Sequence, residues 1–254
     1  MSIPPRFDPD ERASDLWAIF LIGFIAWIAA QTLGANIGKA NDVSTTAPTT
    51  QITPTQIVAV GITSSLAVIA AFAVANVRLR RDGFRKIGLT VRSFPRGILI
   101  GALACLIVLP IVFISTLLTQ TFWDRIGFEH PNAHQVLRLL ADAPPTLQRL
   151  MVLSAIFLTP PAEELLFRGH LQTAILRTFS RTGDSFPARW IAIIFTSLIF
   201  TAFHGELWMM PPIFCLSICL GYVYERTGNL WATILIHAAF NAINIVSFYH
   251  QMHH

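Results

Sequence analysis

Seven mostly apolar runs, each near the roughly 20 residues that a helix needs to cross a bilayer, set what this chain can fold into. They fall at 15–35, 56–77, 97–119, 148–168, 188–207, 209–226 and 229–249. Of the 254 residues, 54% are hydrophobic and 13% charged, whereas a soluble domain carries about 25% charged residues. A water-soluble fold would lack polar side chains to cover its surface; a bilayer removes that demand. The expected fold is all-α, a polytopic transmembrane helical bundle of about seven spans. No internal repeat is visible, and the Thr-rich 44–53 stretch reads as a flexible linker.

The fourth run is the irregular one, because Pro160 and Pro161 interrupt it. Proline lacks a backbone donor and disfavours helix at the residue before it. The sequence therefore predicts a chain break just before Glu163 and Glu164, with a fresh helix from near Pro161 towards Phe179. Such breaks are tolerated in a membrane only where protein or water surrounds them.

The net charge of +4 is modest, and the basic residues sit between the apolar runs. No aromatic-interleaved basic stripe suggests a nucleic-acid partner; membrane lipids are the partners that the composition implies. Arg78, Arg80, Arg81, Arg85, Lys86, Arg92 and Arg96 follow the second run, whereas residues 36–55 hold only Lys39. By the positive-inside rule, the N-terminus is expected in the cytoplasm and the C-terminus outside, with Arg177, Arg181, Arg189 and Arg226 also inside. Asp8, Asp10, Glu11 and Asp15 precede the first run, which is expected to be retained rather than cleaved as a signal. A compact chain of this kind suits a bacterial inner membrane. The layout divides into a tail at 1–14, N-terminal helices and loops at 15–147, a core at 148–249 and a tail at 250–254. Within 120–147, Val136, Leu137 and Leu140 lie on one side of a possible amphipathic helix that lies on the membrane or covers a site. Oligomeric state is left open.

Cys105, Cys215 and Cys219 all lie in apolar runs, an arrangement unlike a disulfide framework. Cys215 and Cys219 share a helix face that could suit a metal, though packing is the commoner use of such pairs. His130, His134 and Glu129 make another metal guess, weakened because Pro131 breaks the i, i+4 spacing. His250, His253 and His254 read as a solvated terminal cluster.

Ionisable groups inside apolar runs carry the functional signal. A charge at a bilayer centre costs roughly 2.5–3.5 kcal/mol on insertion scales, so such groups face the bundle interior and usually serve a function. Glu164 and Arg168 are four apart and can pair on one helix face. Glu163 points about 100° away and is free for chemistry, although both glutamates could also be solvated at a helix start. Phe200 and His204 share a face at the end of the fifth run, with Glu206 a nearby partner for His204. His237 and Asn241 project together from the seventh. Each element alone reads as a helix–helix hydrogen bond. Together, a carboxylate, two imidazoles and an amide suffice for water-activated acyl cleavage, with proton transfer from water and donors for an oxyanion. A zinc ion held by Glu163, His204 and His237 is the other possibility, although the ligands would come from three separate helices and the HExxH helix motif is absent.

The pattern Glu163-Glu164-x-x-x-Arg168, Phe200-x-x-x-His204 and His237-x-x-x-Asn241 resembles the CPBP intramembrane proteases, which include type II CAAX prenyl endopeptidases and bacteriocin-processing and self-immunity proteins. Residues 221–231 look like the family's lead into its last motif, and 84–101 is weakly similar. The similarity spans roughly 148–245. It implies peptide-bond hydrolysis in a membrane-associated, possibly prenylated, protein or peptide substrate. It makes Glu163 and His204 the water-activating pair, His237 and Asn241 the oxyanion stabilisers, and Glu164 and Arg168 supporting residues. It leaves open a zinc ion or a metal-free glutamate mechanism. The rival readings are a non-catalytic scaffold or immunity protein of the same fold and, without an inverted repeat to support it, a transporter.

Overall fold

The computed structural model describes residues 12–40, 52–80, 82–129, 131, 134–180, 186–204 and 206–252. The calls on Asp8, Asp10, Glu11, most of the Thr-rich linker, Arg81, His130, Arg181, His253 and His254 lie outside these residues. Among the described residues the structure is helical, without strands. Seven helical stretches are long and apolar enough to span a bilayer. They are α1 (Ala13–Ala40), α2 (Pro54–Arg78), α3 (Phe94–Arg125), α5 (Pro145–Phe179), α6 (Phe186–Phe203), α7 (Met210–Thr227) and α8 (Leu230–Met252). The short α4 (Gln135–Asp142) lies between α3 and α5, where the amphipathic helix was expected.

Sequence sets where several of these helices begin and end. Thr53 caps α2 in a reciprocal box with Gln56, and Pro54 takes the first position, where no donor is needed. Gly228, at φ 60°, ends α7 in the left-handed conformation that glycine adopts without strain. The turn that follows is docked rather than loose. Asn229 caps α8 through Trp231 N–H at 3.0 Å and donates from Nδ2 to Ser93 O at 2.9 Å. Trp231 Nε1 donates to Thr90 O at 3.1 Å. The two stretches that looked familiar in the sequence therefore touch, fixing the start of α8 against that of α3.

Helices α1 and α2 pack through small residues. A Cβ at Gly34 would lie 2.7 Å from Val60 Cα, so the close approach requires glycine. A buried core joins Phe72 of α2, Leu166 and Leu171 of α5, Phe200 of α6, Tyr224 of α7 and Leu230 of α8.

The expected chain break does not occur. Residues 145–179 form one continuous helix in which Ser154–Leu158 and Leu165–Gln172 are π-helical and Thr159–Glu164 between them is α-helical. Wide turns provide the physical alternative to a break. Thr159 N–H bonds back to Ser154 O, five residues earlier. Continuing that pattern, Pro160 would have to serve Ala155 O, and it has no proton to give. The chain stays helical because another helix supplies the missing donor.

Candidate active site

That donor is Asn241 of α8, whose Nδ2 donates to Ala155 O at 2.8 Å. The amide that the resemblance makes an oxyanion stabiliser is thus committed, through one of its two protons, to a carbonyl that the proline leaves unpaired. Unpaired backbone carbonyls are costly away from water.

Further along α5, Glu164 and Arg168 are both completely buried, and Arg168 Nη1 donates to Glu164 Oε1 at 2.8 Å. The expected pair therefore forms, and other helices hold both of its members. Arg168 Nη2 donates to Ser217 Oγ of α7 at 2.7 Å, and its guanidinium carbon lies 4.6 Å from the centre of the Phe200 ring of α6. A buried charge needs such multiple partners to be tolerated.

Glu164 Oε1 also receives His237 Nδ1 at 2.9 Å. An ionised carboxylate only accepts, so Nδ1 carries a proton and donates it to Glu164. Nε2 faces Glu163 Oε2 across 3.7 Å, too far for a hydrogen bond. Glu163 Oε2 is itself buried and accepts no hydrogen bond among the described residues, although its side chain as a whole is 21% exposed. Glu163 and His237 thus face each other inside the bundle, with Glu164 behind the imidazole.

His204 packs against Phe200. Its Nδ1–H donates to Phe200 O at 2.8 Å, and its ring stacks at a tilt on Phe200, centroids 4.4 Å apart. The His237 ring lies edge-on to the same phenyl, centroids 6.0 Å apart. Both imidazoles contact one aromatic ring, and His237 faces Glu163 at 3.7 Å. Glu206 Oε1 lies 3.9 Å from Nε2 of His134, the residue before α4.

The fit to zinc can be judged from the donors. Among the described residues, no three His, Cys, Asp or Glu side chains gather closely enough to hold a metal ion. Glu163 and His237 face each other, but His204 does not complete a set with them. The residues as placed do not fit a three-ligand zinc centre, and neither Cys215 with Cys219 nor Glu129 with His134 belongs to such a group.

Several buried polar groups were not singled out in the sequence. His170 donates from Nδ1 to Leu165 O at 2.7 Å, receives Asn76 Nδ2 at 3.1 Å and stacks flat on Phe72 at 3.9 Å. Gln172 donates to Gly221 O and to Glu225 Oε1, and Glu225 meets Arg189 at 3.5 Å. These contacts lock the lower half of α5 to α2, α6 and α7. Their signal in the sequence was the same as for the site itself, namely polar side chains inside spans.

The fold and this cluster define a class: a multi-pass helical membrane protein with a buried carboxylate–imidazole centre. Residues 145–243 match the family model described as type II CAAX prenyl endopeptidase Rce1-like, in keeping with the CPBP resemblance. The match and the membrane helices together support a CAAX-type intramembrane protease fold. No curated protein and no solved structure matches the chain.

Proposed function

We propose that the chain is an intramembrane endopeptidase that uses a glutamate-activated water to cleave a membrane-associated protein or peptide, prenylated substrates included. The observation that carries this reading is the approach of Glu163 Oε2 to His237 Nε2, 3.7 Å apart, with His237 held from its other nitrogen by Glu164. Packing alone accounts for Glu164, Arg168 and Ser217, which are hydrogen-bonded in a row between α5 and α7. It does not account for Glu163, whose carboxylate stands outside that row and faces the imidazole inside the bundle.

In the proposed step, Glu163 takes a proton from that water as its oxygen bonds to the scissile carbonyl carbon. The carbonyl electron pair moves onto oxygen and returns as the C–N bond breaks, and the proton passes to the leaving amine. His237, oriented by Glu164, has Nε2 3.7 Å from Glu163 Oε2 and can take up the proton that Glu163 removed from water, before that proton reaches the leaving amine. The resulting imidazolium is stabilised by Glu164 and can donate to the oxyanion. The lone pair on His204 Nε2 suits a proton relay, and Asn241 retains a second amide proton for the oxyanion. No step requires a metal. The cationic end of the bundle, bearing Arg78, Arg80, Arg85 and Lys86, is assigned to the cytoplasm of a bacterial inner membrane.

Mass spectrometry of membrane peptides from cells carrying wild-type or Glu163→Gln protein tests the reading. Loss of the active base should lower the yield of specific fragments by about 10²–10⁴-fold. Identical fragment sets with a folded variant would leave the non-catalytic scaffold as the surviving account.

A further inference from the structure

Glu163, Glu164, His204 and His237 come from α5, the end of α6 and α8. Helix α7 carries none of them, yet its Ser217 is completely buried and reaches the centre through a single side chain. Arg168 Nη2 donates to Ser217 Oγ at 2.7 Å and to Ser217 O at 3.3 Å, while Nη1 donates to Glu164 Oε1 at 2.8 Å. A guanidinium is a rigid plane, so an acceptor fixed on Nη2 also fixes where Nη1 points. Glu164 Oε1 is the same oxygen that receives His237 Nδ1 at 2.9 Å. The guanidinium carbon also lies 4.6 Å from the centre of the Phe200 ring, which contacts both His204 and His237. The row from Ser217 would hold α5 to α7 whatever stood at its far end. What stands there is the imidazole that faces Glu163.

The seam between α5 and α7 has a second contact that does not touch the centre. One turn further along α5, Gln172 Nε2 donates to Gly221 O at 3.1 Å and to Glu225 Oε1 at 2.8 Å. Ser217, Gly221 and Glu225 follow at steps of four and share one face of α7. A Cβ at Gly221 would lie 3.0 Å from Gln172 Oε1, so the two helices meet closely there without help from Ser217. We propose that Ser217 is a positioning residue for the centre: through Arg168 it sets the carboxylate of Glu164, and thereby the ring of His237 that faces Glu163. Its hydroxyl touches no reacting atom. Its part in cleavage rests on the protease reading, whereas its hold on His237 does not.

The test is NMR of the full-length protein, carrying isotope-labelled histidine, in lipid nanodiscs. Solvent exchange of the His237 Nδ1–H is the readout, assigned by its absence in His237→Gln. Ser217→Ala removes the hydroxyl acceptor and should speed that exchange about tenfold, as expected for loss of one hydrogen bond to a charged group. Backbone amide exchange in α7 should stay as in the wild type. Ser217→Thr keeps the hydroxyl and should restore the slow rate. Wild-type exchange in Ser217→Ala overturns the proposal, as does a threonine variant as fast as the alanine one. Equal acceleration in Gln172→Met also overturns it, because any loosening of the seam would then suffice. The second arm is the yield of membrane-peptide fragments over the Glu163→Gln background. It should fall about tenfold in Ser217→Ala and recover in Ser217→Thr, as expected when a hydrogen bond of that strength is lost from the reacting state. Faster exchange with an undiminished yield overturns the part of Ser217 in cleavage. A wild type without such fragments, whose Nδ1 exchange still follows Ser217, would sink the protease reading and keep the hold on His237.

Discussion

Helices α3 and α5 both carry proline inside a membrane span, and they resolve it differently. In α3, Pro110 sits in an uninterrupted α-helix, and only 22% of the most apolar window of that span, which starts at Gly83, is buried in protein. In α5, two prolines are absorbed by π-helical turns, and 44% of the corresponding window is buried. Leu106, Ile107 and Phe113 of α3 are exposed on the outer surface, where lipid would meet them. The corresponding length of α5 turns Glu164, Arg168, His170 and Gln172 inward. Neighbouring helices, not proline itself, decide what the local backbone becomes. Where Asn241 can serve an orphaned carbonyl, a wide turn and a reactive carboxylate can be held.

The contrast can be broken most severely at the buried charges. Arg168→Met removes the arginine paired with the buried Glu164, leaving only the His237 contact, and should destabilise the bundle by about 3–5 kcal/mol, read as loss of monodisperse protein on heating in detergent. A second, smaller effect is expected at the clasp. Asn241→Ala should cost about 1–3 kcal/mol by orphaning Ala155 O. In a Pro160→Ala background a backbone N–H becomes available, so the same substitution should cost clearly less in a double-mutant cycle. Equal costs in both backgrounds would mean that the proline and the asparagine are unrelated. On α3, Leu106→Ala should change stability by no more than about 0.5 kcal/mol, as expected of an exposed position, because lipid fills the space.

The mildest effect concerns acidity. The folded state lowers the proton affinity of His134, chiefly through burial. Its contribution to the stability of α4, which it caps, is therefore fully present above the ordinary histidine range. It is lost as pH falls through that range towards the depressed native value. Amide exchange in 135–142 should quicken on mild acidification in the wild type, and this dependence should vanish in His134→Asn.

Much of this architecture was legible in the residue order. Seven spans follow from length and apolarity, the Glu164–Arg168 pair from spacing, and α4 from its one-sided Val136, Leu137 and Leu140. The helix ends were less accessible: α1 extends to Ala40 and α3 to Arg125, beyond the expected 35 and 119. The π-turns of α5 were not legible, because the residue that makes them tolerable lies 86 positions away from Ala155. The approach of His237 to Glu163, and of His134 to Glu206, was out of reach for the same reason. Spacing along one helix predicts which groups share a face, but not which face of which neighbour they will meet.

The docking of Asn229 on Ser93 and of Trp231 on Thr90 has a bearing on depth. Because α8 is pinned at its first turn to the foot of α3, it cannot slide along its own axis unless α3 slides with it. The level at which His237 sits in the bilayer is then inherited from how far α3 is sunk, a distance fixed by the arginines at its base and the fatty thickness around it.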